Sequence, residues 1–158
     1  KNSTIIHLAK RSDKLDKFPG FYDNLIAGGQ PIELSIEQNF CKEAFEEAGL
    51  NQKQASRAKK STTVHYQHNE KTNFNSAIIF NYHLEKCGDM KFSNQDGEVE
   101  SFLSIELPNL YKILETNSLK ANCVIPLIDF FMIKESDFIP KSVIVEIKRL
   151  FNKNERKF

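Results

Sequence analysis

The stretch GGQPIELSIEQNFCKEAFEEAGL, Gly28 to Leu50, decides the fold because it encodes a helix with a clear start and a clear end. Ser35 is followed three residues later by Gln38, which is the pattern of a capping box, and Gly49 suits the residue just beyond a helix end. The sequence therefore predicts a helix from about Ile36 to Ala48.

Glutamates cluster on one face of this helix. Glu43, Glu46 and Glu47 are neighbours there because residues three and four apart meet on a helix surface. Like charges at this spacing repel by a few tenths of a kcal/mol for each pair unless a cation offsets them, and the cation nearest in sequence is Lys42. Mg²⁺ usually takes one or two protein carboxylates together with waters and substrate phosphates. The cluster predicts a metal site for a phosphate-bearing substrate, with a solvated acidic face as the alternative that such strings alone favour.

The opposite face of the same helix is apolar. Phe40, Ala44 and Ala48 recur at intervals of four residues, with Cys41 and Phe45 alongside. A helix of this kind buries its apolar stripe against a neighbouring layer, so we expect this face to pack on a sheet.

Length and composition favour one soluble domain. A chain of 158 residues buries roughly 70% of its unfolded surface, and a net charge of +1 gives no reason to expect a nucleic acid polymer or an anionic membrane as partner. No apolar run approaches the roughly 20 residues needed to cross a bilayer. Three widely spaced cysteines form neither a disulfide framework nor a zinc pattern, so we expect a reducing compartment, the cytoplasm. Because the chain opens with Lys1, we expect residues 1–158 to be a single domain from the C-terminal part of a longer protein.

The remaining periodicity predicts a mixed α/β fold. Runs rich in β-branched and aromatic residues favour strands, and the runs 61–68 and 73–85 favour an antiparallel hairpin. We therefore expect helices on both faces of a mixed sheet. Strands are predicted in 4–9, 22–29, 61–68, 73–85 and 99–107, and further helices in 107–114, 123–134 and 142–152, of which 123–134 is strongly apolar.

The stretch from Gly28 to Leu50 resembles the signature of the Nudix hydrolases, which reads Gly, five residues, Glu, seven residues, Arg-Glu-apolar-x-Glu-Glu-x-Gly-apolar. Two positions depart from it, since Leu34 stands where the first Glu is expected and Lys42 replaces Arg. Lysine cannot make the planar, bidentate contacts of arginine. The resemblance implies an α/β/α sandwich with a mixed central sheet. It also implies that Glu43, Glu46 and Glu47 are catalytic ligands of Mg²⁺, with Mn²⁺ as an alternative.

A second resemblance covers most of the chain through LAKRS, KFPGFYDNLIAGGQP, LSIEQNFCKEAFEEAGL and NQDGEVESF. These segments are similar to the Nudix branch related to the domain fused to thiamin pyrophosphokinase in some fungi. The branch implies hydrolysis of diphosphates that resemble thiamin diphosphate, especially damaged or antivitamin forms such as oxo- and oxythiamin diphosphate, to the monophosphate. Alternatives within reach of the sequence are a nucleoside diphosphate derivative such as ADP-ribose, or a Nudix fold that binds ligand without turnover.

Other polar residues around this stretch are candidates for substrate contacts. Glu98 is a further candidate metal ligand from a neighbouring loop, with a plain polar edge as the alternative. The aromatic residues before the glycines have two open interpretations, stacking on a substrate ring or ordinary packing. Loop charge and turn chemistry are the competing explanations for the polar candidates. The predicted substrate-binding residues are Lys10, Arg11, Asp23, Gly28, Gly29 and Gln30.

Overall fold

The computed structural model describes residues 4–70, 73–88 and 90–134, together with positions 142, 144, 145 and 149. The mixed α/β composition that the sequence predicts is confirmed in this part of the chain. It divides into two compact units, the described parts of Lys1–Arg57 with Glu85–Val124, and of Ala58–Leu84 with Ile125–Phe158. The strands are β1 (Ile5–Arg11), β2 (Tyr22–Asn24), β3 (Lys59–Glu70), β4 (Asn73–His83) and β5 (Val99–Glu106), and the helices are α1 (Ile36–Ala48), α2 (Gln52–Ala55), α3 (Leu107–Glu115) and α4 (Val124–Lys134).

The sheet of the first unit has the strand order β2-β1-β5, and both of its ladders are antiparallel. Leu8 lies opposite Leu103 in β5, and Ala9 lies opposite both Phe102 and Asp23. Leu8 and Ala9 are buried, so the centre of β1 forms part of the apolar core. Parallel pairing in the described residues is limited to an isolated bridge between Tyr22 and Leu119.

Helix α1 has the bounds and both end signals that the sequence predicts. The Ser35 hydroxyl accepts a hydrogen bond from the Gln38 amide, and the Gln38 side chain accepts one from the Ser35 amide, which completes the capping box. Gly49 ends the helix with a φ of 66°, a left-handed conformation that glycine adopts without strain.

The expected apolar face of α1 is confirmed only in part. Ala44 and Ala48 are fully buried, but Phe45 is 54% exposed, so its predicted packing on the sheet is wrong. Glu47 takes the buried place instead, at 7% exposure. Positions 45 and 47 lie roughly 200° apart around a helix, so burying the glutamate turns the phenylalanine outward.

Helix α2 lies between the predicted helix that ends near Ala48 and the predicted strand 61–68, where no helix or strand was predicted. Asn51 caps it by accepting from the Gln54 amide at 3.0 Å, and the Gln54 side chain accepts from the Asn51 amide in return. Leu50 and Ala55, at either end, are fully buried. This single helical turn is fixed by its cap and two apolar anchors rather than by an amphipathic pattern.

The second unit contains the predicted hairpin of β3 and β4, which pair antiparallel. Both Asn69 and Glu70 belong to β3, so that strand extends into the predicted connector, and residues 71–72 lie outside the described chain. The predicted helix 142–152 falls on a segment of which four positions are described.

Helix α4 follows a short 3₁₀ turn at Ala121–Cys123. None of the helices in the described part of the chain combines the length and apolar character that crossing a bilayer requires.

A buried polar cluster joins the hairpin to α4 within this unit. The register of β3 and β4 shifts between Lys60 and Thr63, a bulge that re-aims nearby side chains. The Thr62 hydroxyl donates to Asp129 Oδ1 at 2.9 Å and accepts from Asn81 Nδ2 at 2.9 Å, and His83 Nε2 lies 3.0 Å from Asp129 Oδ2. Asp129 is 2% exposed, and Thr62 satisfies its Oδ1, whereas Oδ2 has a close contact with His83 but no hydrogen bond of good geometry among the described residues.

Candidate active site

The glycine loop and α1 meet through two glutamates. The Ala27 amide donates to Glu47 Oε2 at 2.6 Å, which fixes that carboxylate against the loop. A Cβ on Gly28 would overlap the Glu43 carboxyl carbon, so glycine at this position lets Glu43 lie directly on the loop backbone. The sequence spacing that predicts a shared helix face therefore produces two carboxylates on one loop.

Glu47 has an unusual environment for a carboxylate. Burial, together with the negative charges of Asp23, Glu43 and Glu98, raises its pKa to about 7, although the hydrogen bond from Ala27 acts in the opposite direction. A side chain with this pKa exchanges a proton near neutral pH. The neighbouring negative charges disfavour its ionised form, whereas a bound cation would stabilise that form.

Lys42 is the cation that this chain places among the helix glutamates. Its Nζ lies 2.5 Å from Glu46 Oε2 and 3.3 Å from Glu43 Oε1. The hydrogen bond to Glu46 raises the pKa of the lysine, so its ammonium keeps its proton. The Glu46 carboxylate therefore pairs with Lys42 at the surface, whereas the Glu47 carboxylate is buried against the loop.

The loop beyond the glycines is held by side-chain amides. Asn39 Nδ2 donates to the Gly29 carbonyl at 3.0 Å, and Gln30 Nε2 donates to the carbonyls of Pro31 and Leu34 at 2.9 and 2.6 Å. Asn39 is 6% exposed, and its Oδ1 lacks a hydrogen-bond partner among the described residues. The sequence analysis did not predict a role for Asn39. Its position one helical turn before Glu43, on the side of the glutamates, was the signal that could have indicated it.

Glu98 lies just before β5 with an exposed side chain. Its carbonyl accepts from the Ser12 amide at 2.8 Å, and its charge contributes to the raised pKa of Glu47. Lys10 pairs with Glu100, two residues beyond Glu98, at 2.8 Å. The hydrogen bond to Glu100 raises the pKa of Lys10, which lies on the solvent side of β1.

Arg11 and Asp23 belong to an ion cluster under the loop. Arg11 Nη1 lies 3.2 Å from Asp23 Oδ2, and Lys120 Nζ lies 2.9 Å from the same oxygen. The Cys123 thiol donates to Asp23 Oδ1 at 2.6 Å. Asp23 is 3% exposed, so its carboxylate is committed to neighbours within the chain. Lys120 and Cys123 come from a distant segment, and nothing in the sequence pattern indicated them.

Oxygen ligands of this kind suit a hard divalent cation, but the side chains do not form a complete cage. Among the described residues, no three His, Cys, Asp or Glu side chains converge in a way that could hold a metal ion. Glu43 and Glu47, which both lie on the loop, match the one or two protein carboxylates that Mg²⁺ typically uses. The remaining coordination positions would then be available to water and substrate phosphate.

Comparison with known proteins identifies relatives over most of the chain. The chain is 38% identical over 127 residues to Nudix hydrolase 20, chloroplastic, of Arabidopsis thaliana, covering 80% of this chain and 34% of that protein. It is 36% identical over 127 residues to Nudix hydrolase 24, chloroplastic, of the same plant, covering 80% and 35%. An uncharacterized Saccharomyces cerevisiae protein is 29% identical over 135 residues, covering 78% and 40%. No family model matches the chain.

Both plant relatives are named as Nudix hydrolases. The chain spans about a third of the length of the two plant proteins. Over 80% of its own length it is similar to these two Nudix hydrolases.

Proposed function

We propose that the chain is a divalent-metal-dependent Nudix pyrophosphohydrolase that cleaves the diphosphate linkage of a small molecule. The observation that carries this proposal is the placement of Glu43 and Glu47 on the Ala27–Gly28 backbone, next to the negative charges of Asp23 and Glu98. Such an arrangement costs free energy unless a cation offsets the negative charges, and a cation held there could in turn bind a phosphate. The homology to two Nudix hydrolases supports the same reaction class.

Glu43 and Glu47 would hold Mg²⁺ or Mn²⁺. Glu46 and Glu98, the other predicted ligands, do not converge with them here and would have to move to take part. The bound cation supplies charge stabilisation at the transferring phosphoryl group and a lowered pKa for water. In the metal-free chain Glu47, whose pKa is about 7, can take or release a proton at neutral pH, and a bound cation would keep it ionised. The candidate phosphate contacts are Lys10 and Arg11. The ammonium of Lys10 is charged. Three of the five N–H donors of Arg11 are used in the described contacts, which leaves two for a phosphate.

For the substrate we propose a thiamin-diphosphate-like compound, including damaged or antivitamin forms, that is cleaved to its monophosphate. This choice is supported by the resemblance of the chain to the thiamin-related Nudix branch in four separate segments. A nucleoside diphosphate derivative such as ADP-ribose is the alternative substrate. The cytoplasm is proposed as the compartment, on the basis of the three free cysteines.

We propose the Nudix α/β/α sandwich with a mixed central sheet as the complete architecture, built as a single domain. The position of α1 in the resembled signature supports it. The ladders of the described sheets are all antiparallel, so they support the sheet layer but not its mixed character.

A second candidate function is ligand binding without turnover. Lys42 favours it, because its contacts with Glu43 and Glu46 occupy carboxylates that the metal needs. Leu34, at the position where the family signature has Glu, also favours it. The two candidates differ in one measurable respect, which is the release of phosphate.

The test is the release of phosphate from thiamin, oxothiamin, oxythiamin, nucleoside and isoprenoid diphosphates, and of AMP and ribose 5-phosphate from ADP-ribose, with Mg²⁺ and with a chelator. We expect metal-dependent turnover of the thiamin-like members, and its loss in Glu47→Gln while the far-UV circular dichroism is retained. Binding of these compounds with no release under any metal condition would favour the second candidate.

A further inference from the structure

Arg11 fixes the backbone of the loop between β1 and β2. Its Nε donates to the Phe18 carbonyl at 3.2 Å and its Nη2 to the Lys17 carbonyl at 3.0 Å. Its Nη1 is anchored by the buried carboxylate of Asp23. Three donors of one planar guanidinium therefore fix the conformation of two successive loop residues.

Phe18 holds a strained conformation at that point. Its φ is 51°, in the left-handed region, which a bulky side chain rarely adopts. A tight turn follows, in which the Phe21 amide donates to the Phe18 carbonyl at 3.4 Å and Gly20 has a φ of 70°. Strain of this kind persists where surrounding contacts impose it, and it is concentrated at ligand sites.

The strain orients an aromatic ring toward solvent. Phe18 is 43% exposed, and its ring meets the edge of Phe21 at a centroid distance of 5.7 Å and an angle of 71°. Packing offsets the strain only in part, because 43% of this residue remains exposed. The exposed part of the ring offers an aromatic surface on which a ligand could pack.

The loop also adjoins the candidate active site. The Arg11 amide donates to the Phe21 carbonyl at 2.9 Å, and the next residue, Ser12, donates to the carbonyl of Glu98 at 2.8 Å. Asp23, which anchors the guanidinium, is one of the charges that raise the pKa of Glu47. The aromatic loop and the carboxylates are thus joined through directly bonded residues of one unit.

We propose that Phe18 stacks on a flat heteroaromatic ring of the substrate and so determines specificity for ring-bearing diphosphates over aliphatic ones. This inference rests on the proposed function for the phosphate end of the substrate. Phe21 supports the stacking ring from its edge, and Arg11 is a positioning residue that holds the loop.

The test uses the whole chain and three variants. Phe18→Gly removes the ring and also relieves the positive φ, Phe18→Tyr keeps the ring, and Tyr111→Leu removes an exposed aromatic residue from α3 as a matched control. Dissociation constants are measured by calorimetry for thiamin monophosphate as the ring-bearing probe and for inorganic pyrophosphate as the ringless probe. Thermal unfolding midpoints are measured on the same samples.

We expect Phe18→Gly to weaken binding of thiamin monophosphate about tenfold, the usual scale of ring stacking, and to leave pyrophosphate binding and the unfolding midpoint unchanged or improved. Phe18→Tyr and Tyr111→Leu should bind both probes like the unsubstituted chain. Equal loss for both probes, a lowered midpoint with no probe preference, or no binding of thiamin monophosphate to the unsubstituted chain would overturn the inference. Absence of phosphate release with the ring preference intact would instead count against the proposed function alone.

Discussion

The carboxylate of Glu47 is buried, accepts one backbone hydrogen bond and faces three negative neighbours. Its pKa of about 7 in the folded chain is higher than the model-peptide value of 4.5, so between these two pH values the folded chain binds more protons than the unfolded chain. Stability from this group therefore falls as pH rises through that window. The loss above pH 7 is roughly 3 kcal/mol in the metal-free protein.

Substitution of Glu47 by Gln should remove this loss. In the presence of a chelator we expect the variant to unfold several degrees higher than the parent at pH 8 and at nearly the same temperature at pH 5. Gln keeps the acceptor for the Ala27 amide but carries no charge. Calorimetric scans at the two pH values provide the measurement. A difference of equal size at both would show that ionisation is not its cause.

Gly28→Ala should separate folding from metal binding. The new Cβ displaces the end of the flexible Glu43 side chain, so we expect a small change in stability but at least a tenfold loss in Mg²⁺ affinity and diphosphate hydrolysis. Gly88→Ala is the control, since a Cβ there meets no atom within 4 Å. Titration with Mg²⁺ and steady-state kinetics on both variants are the checks. Wild-type affinity in Gly28→Ala would mean that Glu43 binds no metal from this position.

At the scale of single residues, the sequence predicted which glutamates are adjacent but not what each one contacts. Helical spacing alone places Glu43, Glu46 and Glu47 together. It does not determine that Lys42 pairs with Glu46 while Glu47 turns inward, because the choice depends on the loop backbone at Ala27. The roles of these residues in metal binding and catalysis stay predictions.

Among the elements, α1 was predictable because its end signals are local. The Ser35 capping box and the Gly49 end need only a few neighbouring residues to form. Which face is buried depends on the rest of the unit, and for that reason the expectation for Phe45 failed. Helix α2, one turn long, is too short to show a hydrophobic period.

The end of α1 gives a prediction about stability. Gly49→Ala adds left-handed strain of about 1 kcal/mol and also a Cβ that overlaps Ser93 Oγ and lies 2.7 Å from the Ser93 carbonyl oxygen. Gly97→Ala adds the strain without a neighbour, because nothing lies within 4 Å of its Cβ. We expect urea unfolding to show a loss at least twice as large for Gly49→Ala. Equal losses would mean that the loop carrying Ser93 moves away freely.

For the whole molecule, the sequence predicted the sequential hairpin but not the long-range contacts. Strands β3 and β4 are joined by a short connection, so their pairing follows from local pattern. The pairing of β1 with β5 joins segments about 90 residues apart, and the cluster at Asp23 collects Lys120 from a similar distance. Neither leaves a periodic signal in the sequence.

The buried cluster at Asp129 governs stability in acid. Burial raises the pKa of this carboxylate, but His83 and the hydroxyls of Ser61 and Thr62 outweigh burial, so its pKa in the folded chain is lowered. A lowered pKa contributes stability above the ordinary value that is lost as pH falls through the folded value. Together with the opposite trend of Glu47, this predicts that the metal-free protein is most stable at mildly acidic pH.

Asp129→Ala should therefore destabilise the protein by about 3–5 kcal/mol at pH 7, because it leaves buried partners of the carboxylate unpaired. Asp16→Ala, at an exposed position, is the control and should change the free energy of unfolding by less than about 0.5 kcal/mol. Urea titrations at pH 7 and pH 3 would measure both. The difference between the variants should shrink at pH 3, and a constant difference would exclude ionisation as its origin.

The bond from the Cys123 thiol to Asp23 has a practical consequence for labelling. Burial and the adjacent carboxylate raise the pKa of this thiol, so the nucleophilic thiolate is scarce and enclosed. Cys41 and Cys87 are both partly exposed, and Cys87 lies against the Arg57 guanidinium. A maleimide dye added to the native protein will therefore modify Cys41 and Cys87 and spare Cys123. Labelling at Cys41 would attach a spectroscopic reporter to α1 without disturbing the ion cluster at Asp23.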